Sequence, residues 1–220
     1  MKSFDAPVTL REAAVQQLRE EIVSGHLPPG TVLKDAAIAS RFGISITPVR
    51  EAITQLTAEG LIDFAPNRPR RVTTVTQKDA LELIDVMAVL ACAGVERAVD
   101  NLMPLHLAAL RDRYQRFEEA LGRGDTAAAG VVGADFSTVL ISASGNRELQ
   151  VHIDLVVTRT LRLLRLAPQS EVWKIWSAGY GEVLRHLESG NTRAAVERHS
   201  EIYRDFRALL EARPLDGCEQ

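Results

Sequence analysis

Four arginines carry the most legible chemistry in this chain. Arg50 follows Ser45, Ile46 and Thr47 by about one helical turn, and Arg68, Arg70 and Arg71 crowd into PNRPRR between two β-prone runs. Guanidinium groups so placed neutralise phosphates, donate in pairs to a guanine edge or reach into a minor groove. Serine and threonine hydroxyls beside them bond to phosphates and bases, and an isoleucine packs on a thymine methyl. The expected chemistry is recognition of double-stranded DNA, with Lys34, Ser45, Ile46, Thr47, Arg50, Arg68, Arg70 and Arg71 as the candidate contacts. No nucleophile–base spacing, phosphate loop or metal pair appears, so an enzyme is not expected.

The elements that must hold these residues follow from the same stretch. Ser45 or Thr47 can cap the free amides of a first turn, and Pro48 lacks only an N–H that would be unpaired there anyway. Val49, Ile53, Leu56 and Leu61 then recur at helical spacing as a core stripe, while Ser45, Thr47, Arg50 and Gln55 fall away from it. The preceding DAAIASRFG has Ala37, Ile38 and Phe42 as its apolar stripe and ends on Gly43, suited to a tight left-handed turn. Taken alone, helix, glycine turn and helix fit either a helix-turn-helix or an ordinary helical hairpin. The flanks favour the first. Thr9-Leu10-Arg11-Glu12 is a capping box opening a helix with Leu10, Ala14, Leu18 and Ile22 on one face. Leu61–Phe64 and Arg71–Val75 are short β-prone runs around the turn-forming Ala65-Pro66-Asn67-Arg68-Pro69, which makes a wing with a basic tip.

The order of these pieces resembles the winged-helix domain of the GntR family of bacterial transcription regulators over roughly Leu10 to Thr76. IVSGHLPPGTVL, RFGISITPVREAITQLTAEGLI and PNRPRRV carry the resemblance. It also exposes departures. Where the family motif reads serine-arginine-threonine-proline, this chain reads Ser45-Ile46-Thr47-Pro48, so a guanine-reading arginine is replaced. A second family arginine aligns with Ala36, and the wing glycine with Pro69. The resemblance therefore implies an operator that differs from the family consensus at the Ile46 step.

Composition bounds the rest. At 220 residues, 46% hydrophobic and 25% charged, the chain is expected to form one or two soluble globular domains. No stretch approaches the ~20 apolar residues of a membrane span and no signal-peptide pattern is seen, so a cytoplasmic protein without a membrane partner is expected. Cys92 and Cys218 match no metal spacing or disulfide framework. The net charge of −3 divides into nine Lys+Arg against eight Asp+Glu in residues 1–76, or +1, and seventeen against twenty-one in residues 77–220, or −4. So few cations on one DNA-binding unit favour a homodimer reading two half-sites about one helical turn apart.

From Gln77 the chain reads as helices near 77–101, 104–122, 125–143, 146–167, 169–189 and 191–212, punctuated at Asn101, Gly122–Gly124, Ser144-Gly145-Asn146, Pro168 and Gly190-Asn191. The fold class expected is mainly α: a winged helix-turn-helix over 1–76, with three helices and a two-stranded wing, then an antiparallel six-helix bundle over 77–220 for dimerisation and effector binding. The bundle is similar to the ligand-binding domain of the FadR branch of the GntR family (the FCD type), and six helices suit its VanR-like subgroup. Phe136, ISASGNRELQ at 141–150 and ESGNTRAAVERH at 188–199 carry this likeness.

Many members of that branch hold a divalent metal. Counted from those anchors, the ligand positions fall here on Gly133, Ser137, Tyr180 and Ile202, which make no strong ligand set, and His199 lies one turn before the last. The resemblance thus implies no metal and no cofactor. The family's arginine and glutamate on the first bundle helix are replaced by Met87 and Ala91. An effector pocket of Met87, Leu90, Phe136, Ser137, Leu140, Arg159 and Tyr180 would suit a neutral or weakly polar organic molecule, unless these side chains simply fill the core. Trp173 and Trp176, three apart on a helix, fit a pocket mouth or a subunit interface, but interhelix packing is the default and no ligand role is expected of them. Two functions stay open: a ligand-responsive dimeric regulator of the repressor kind, or a constitutive DNA-binding protein whose bundle only dimerises.

Overall fold

Thr9 opens the first helix, α1 (Leu10–Val23), through a reciprocal capping box: the Glu12 amide donates to the Thr9 hydroxyl and the Thr9 amide to the Glu12 carboxylate at 2.8 Å. In the computed structural model, residues 9–65, 68–213 and 215 are described; Pro66 and Asn67 of the expected turn, and Cys218, lie outside them. The chain divides into two units, Met1–Thr74 and Val75–Gln220.

In the first unit α1, α2 (Asp35–Phe42) and α3 (Ile46–Ala58) precede strands β1 (Ile62–Asp63) and β2 (Arg71–Val72). The α1 stripe is Ala14, Val15, Leu18 and Ile22, and Leu10 is 60% exposed. At 3.6 residues per turn a stripe centred on those four leaves position 10 roughly a right angle to one side. In α2, likewise, Ala39 joins Ile38 in the core and Ala37 faces out. Gly43 closes α2 with φ 67 and an added Cβ there would meet nothing, so its conformation and not its space calls for glycine. Val49, Ala52, Ile53 and Leu56 form the buried stripe of α3. Leu61, expected on that stripe, is buried just past the helix, where its amide donates to the Leu56 carbonyl at 2.9 Å.

The wing is tied on both sides. Antiparallel pairing sets Ile62 opposite Val72 and Asp63 opposite Arg71, while Val32 bridges to Arg71 on the other edge of β2. Backbone bonds from Gly30 N to Val72 O (2.8 Å), Leu33 N to Arg70 O (2.9 Å) and Val72 N to Thr31 O (2.9 Å) complete that second edge. The β-prone runs on either side are longer than the two-residue strands they yield.

The second unit is a six-helix bundle: α4 (Gln77–Ala98), α5 (Pro104–Gly122), α6 (Thr126–Ala143), α7 (Arg147–Leu166), α8 (Gln169–Glu188) and α9 (Thr192–Ala212), with a 3-10 turn at Val99–Asn101. Thr76, Asp125, Asn146 and Asn191 cap α4, α6, α7 and α9 with their side chains, each accepting from the amide three residues on. Helix α4 packs against α6, α7 and α9, α5 against α6 and α8, and α8 against α9. The α8–α9 seam is close because Gly179 has no side chain: a Cβ there would stand 2.3 Å from Ile202 Cγ1. Sequence reading underrated α6, which is long and apolar enough to cross a membrane on length and composition. Half of it is buried within the bundle, as a core helix is.

Candidate functional site

Two places gather the residues singled out above, one in each unit. On the first, Ser45 takes the N-cap position of α3 in extended conformation, but its hydroxyl makes no capping bond, contrary to the expected capping role. It is exposed, as are Thr47 and Lys34, the residue before α2. Ile46, the first residue of α3, is 39% exposed despite its apolar side chain. An amino-terminal helix turn with open hydroxyls and an open methyl surface is the arrangement that reads a groove.

Arg50 and Arg70 come from different elements and meet on one carboxylate. Arg50 Nε donates to Asp35 Oδ2 at 3.0 Å, and Arg70 Nη1 donates to Asp35 Oδ1 at 2.8 Å and Oδ2 at 2.9 Å. Partial burial works to raise the Asp35 pKa, but the hydrogen bonds from Arg50 and Arg70 outweigh it and hold the carboxyl below its usual value. Arg70 also lies over the Phe64 ring, 5.4 Å from its centre. Arg71 donates from Nη1 to the Gly30 carbonyl at 3.0 Å, and Arg68 is exposed beside the undescribed tip. Gln55, expected on the free face, is half-buried, accepting from Arg11 at 2.9 Å and donating to Glu59 at 3.1 Å.

Asp35 escaped the sequence reading. Its signal was an acid at the first position of α2 in a unit whose other candidate contacts are mostly basic. Only the fold reveals that it stands between α3 and the wing.

The second place is a cavity in the bundle, with room of about 30 Å³. Water needs roughly 10–15 Å³ measured this way, so the cavity fits one or two water molecules in this conformation. Met87, Ser137 and Tyr180 lie on its wall. Phe136 does not: its fully buried ring stacks on Tyr180 with centres 4.3 Å apart. Leu140 is likewise core, Leu90 is half-buried against the core, and Arg159 is half-exposed and acts on Asp79. Trp173 and Trp176, expected to pack between helices by default, with a pocket mouth as one alternative, are both wall residues. Gly130 and Gly133 on α6 line the cavity with them, and small residues one turn apart opposite paired tryptophans were the available signal.

Three of the four positions at which the family resemblance places metal ligands, Gly133, Ser137 and Tyr180, converge. Ser137 Oγ lies 3.0 Å from Tyr180 OH, which donates to the Gly133 carbonyl at 3.0 Å. Desolvation lifts the Tyr180 phenol above its ordinary value, so it stays protonated. Ile202 is buried against Gly179. This neutral hydroxyl set, with no imidazole or carboxylate, does not fit a divalent metal. Among the described residues no three His, Cys, Asp or Glu side chains come together to hold one. His199 is fully buried, and neither ring nitrogen has a hydrogen-bond partner.

Comparison with known proteins agrees with this geometry. Residues 10–72 match the model for bacterial regulatory proteins of the gntR family, and residues 82–205 match the FCD domain. The chain is 25% identical over 211 residues to the HTH-type transcriptional regulator McbR of Escherichia coli K12, across 96% of this chain and 86% of that protein. It is 24% identical over 189 residues to a probable D-xylose utilization operon transcriptional repressor of Paenarthrobacter nicotinovorans, across 84% and 83% of the two. The solved structure of E. coli McbR/YncC superposes with a TM-score of 0.76 at 25% identity, covering 94% of this chain and 99% of that one. A GntR regulator from Rhodococcus sp. RHA1 shares the fold, with a TM-score of 0.78 at 23% identity over 92% and 97% of the chains.

Proposed function

The chain belongs to the GntR family of bacterial regulatory proteins, in the branch that carries an FCD domain, and from that premise we infer that it is a homodimeric, ligand-responsive repressor of a palindromic operator. Proteins of this kind bind DNA and are not catalysts. The observation that carries the reading is the convergence of Arg50 from α3 and Arg70 from the wing beside the exposed Ser45, Ile46 and Thr47. One helix end supplies base contacts and the adjacent arginines supply phosphate contacts. Lys34, Arg68 and Arg71 extend the basic contacts over the start of α2 and the wing.

The unit presents few free cations, because Asp35 compensates one of the two arginines it joins. Two copies on two half-sites supply the affinity that one lacks. Six bundle helices support the VanR-like reading within the FadR branch, and a relative named as a probable repressor supports the sign of regulation. A cytoplasmic location follows from a chromosomal target. The effector enters the bundle beside Met87, Ser137 and Tyr180 and changes the spacing of the two recognition helices.

Selection from random duplexes tests the DNA half. The expected product is an inverted repeat with half-site centres about 10 base pairs apart; a single unsymmetric motif bound by one chain sinks the dimer reading. One observation favours a second reading, a constitutive DNA-binding protein: the cavity's roughly 30 Å³ is far below a drug-sized pocket. Thermal-shift screening of small metabolites separates the two, since a ligand of the native state raises the melting temperature. Silence across a broad library favours the constitutive protein.

A further inference from the structure

The donors on the cavity wall can be accounted for one by one. Tyr180 spends its single proton on the Gly133 carbonyl, so in the 3.0 Å contact between Tyr180 and Ser137 the serine must be the donor. Tyr203, on the same wall, interacts with Ser137. Thr138 donates to Ala134 O at 3.0 Å, Thr160 to Val156 O at 3.1 Å, and Trp173 Nε1 to Gln169 Oε1 at 3.0 Å. A buried indole donor on the wall stands without a partner. Trp176 is only 4% exposed, and its buried Nε1 has no partner. A buried N–H without an acceptor costs free energy that an incoming acceptor recovers.

Among the described residues, none that lines the wall is Asp, Glu, Lys, Arg or His. An ion entering it would lose its hydration with no countercharge to replace it. Apolar side chains make up most of the remaining wall.

We propose that this cavity takes an uncharged organic molecule with one hydrogen-bond acceptor, a ring ketone being the simplest case, and that Trp176 Nε1 reads the acceptor. The proposal rests on the ligand-responsive reading above and gives its effector a chemical class. A ring needs more room than about 30 Å³, so the wall must part. The side at Gly130 is the one able to give: even an added Cβ there would stand 3.5 Å from Leu161 and 3.7 Å from Trp173, and both of those side chains are only half-buried.

The experiment uses the full chain and three probes of one shape: cyclohexanone, methylenecyclohexane, which lacks the acceptor, and cyclohexanecarboxylate, which is charged. Binding is read by thermal shift and by the emission wavelength of the chain's two tryptophans, both on the cavity wall. Cyclohexanone is expected to bind and the carboxylate not to bind at tenfold higher concentration. In Trp176→Phe the preference for the ketone over the alkene should fall about five- to tenfold, the worth of one hydrogen bond. In Trp173→Phe, whose indole N–H is already spent on Gln169, it should stay.

An equal ketone preference in wild type and Trp176→Phe overturns the proposal, as does carboxylate binding as tight as the ketone's, or no binding of either neutral ring. Should Trp176→Phe fail to fold, the ketone–carboxylate comparison in the wild type still decides. Binding to the selected operator is followed in the same samples. A carboxylate that binds and releases DNA sinks this proposal and leaves the ligand-responsive reading intact, whereas loss of DNA binding by the unliganded protein sinks that reading.

Discussion

Asp35 is the residue on which the proposed DNA-facing side turns, because Arg50 with 65% of its side chain exposed and Arg70 with 26% exposed both lean on it. Removing it frees two guanidinium groups and also unfixes them. In Asp35→Ala, binding to random duplex should tighten and its salt dependence steepen by about one phosphate contact, while preference for the selected operator falls about tenfold. A salt titration on both duplexes checks this; an unchanged preference would show that Asp35 orients nothing. Ile46→Arg should change the preferred base at one step of the operator, and the same selected operator for both proteins refutes that. Arg50, Ile46 and the wing arginines were legible because spacing along one helix or one turn places them. Asp35 and Trp176 were not, since each acquires its role from a partner, or the lack of one, that only tertiary packing decides. His199 belongs with them. Burial lowers its pKa from 6.5 to about 4, so the native fold keeps it neutral while the unfolded chain takes up a proton near pH 6.5. Stability is therefore whole above pH 6.5, declines as pH falls, and is lower by about 3 kcal/mol once below the folded value. His199→Leu should flatten the melting temperature between pH 7.5 and 4.5 relative to wild type, and an equal slope in both proteins would assign the loss to other groups.

At the scale of elements the sequence spoke most clearly. The six bundle helices lie within a few residues of their expected bounds, because Thr76, Asp125, Asn146 and Asn191 at their starts and glycines at several of their stops are local signals. Stripes were read less well: Leu10 and Ala37 are apolar by type, yet the face each helix buries is set by what it packs on. The pairing of Thr31–Leu33 with β2 was hidden too, since three residues after a proline–glycine turn hold no periodicity. Gly179 gives a test of helix packing. Gly179→Ala pushes a Cβ against Ile202 and should cost ~1–3 kcal/mol in denaturant unfolding. In the double variant with Ile202→Ala the combined loss should be smaller than the sum of the singles. Strict additivity would mean that the two helices do not meet there.

For the whole molecule, the two units carry separate hydrophobic cores, one built on Leu18, Ile53 and Leu56 and the other on Phe117, Phe136 and Phe206. Residues 75–220 made alone should keep helical circular dichroism and melt cooperatively; a molten or aggregated product would mean that the bundle depends on the first unit. The charge divides with the cores, as the sequence already indicated, and neither unit carries a large net charge. The wing adds a mechanical consequence. Because β2 is bonded to β1 on one edge and to the segment leading into α2 on the other, and Asp35 clasps Arg70 to Arg50, the described part of the wing is tied to α2 and α3. On the dimeric, ligand-responsive reading proposed above, α3 and the described part of the wing would then move together, so the two half-sites would be gained or lost by reach and angle, with the reading head itself unchanged.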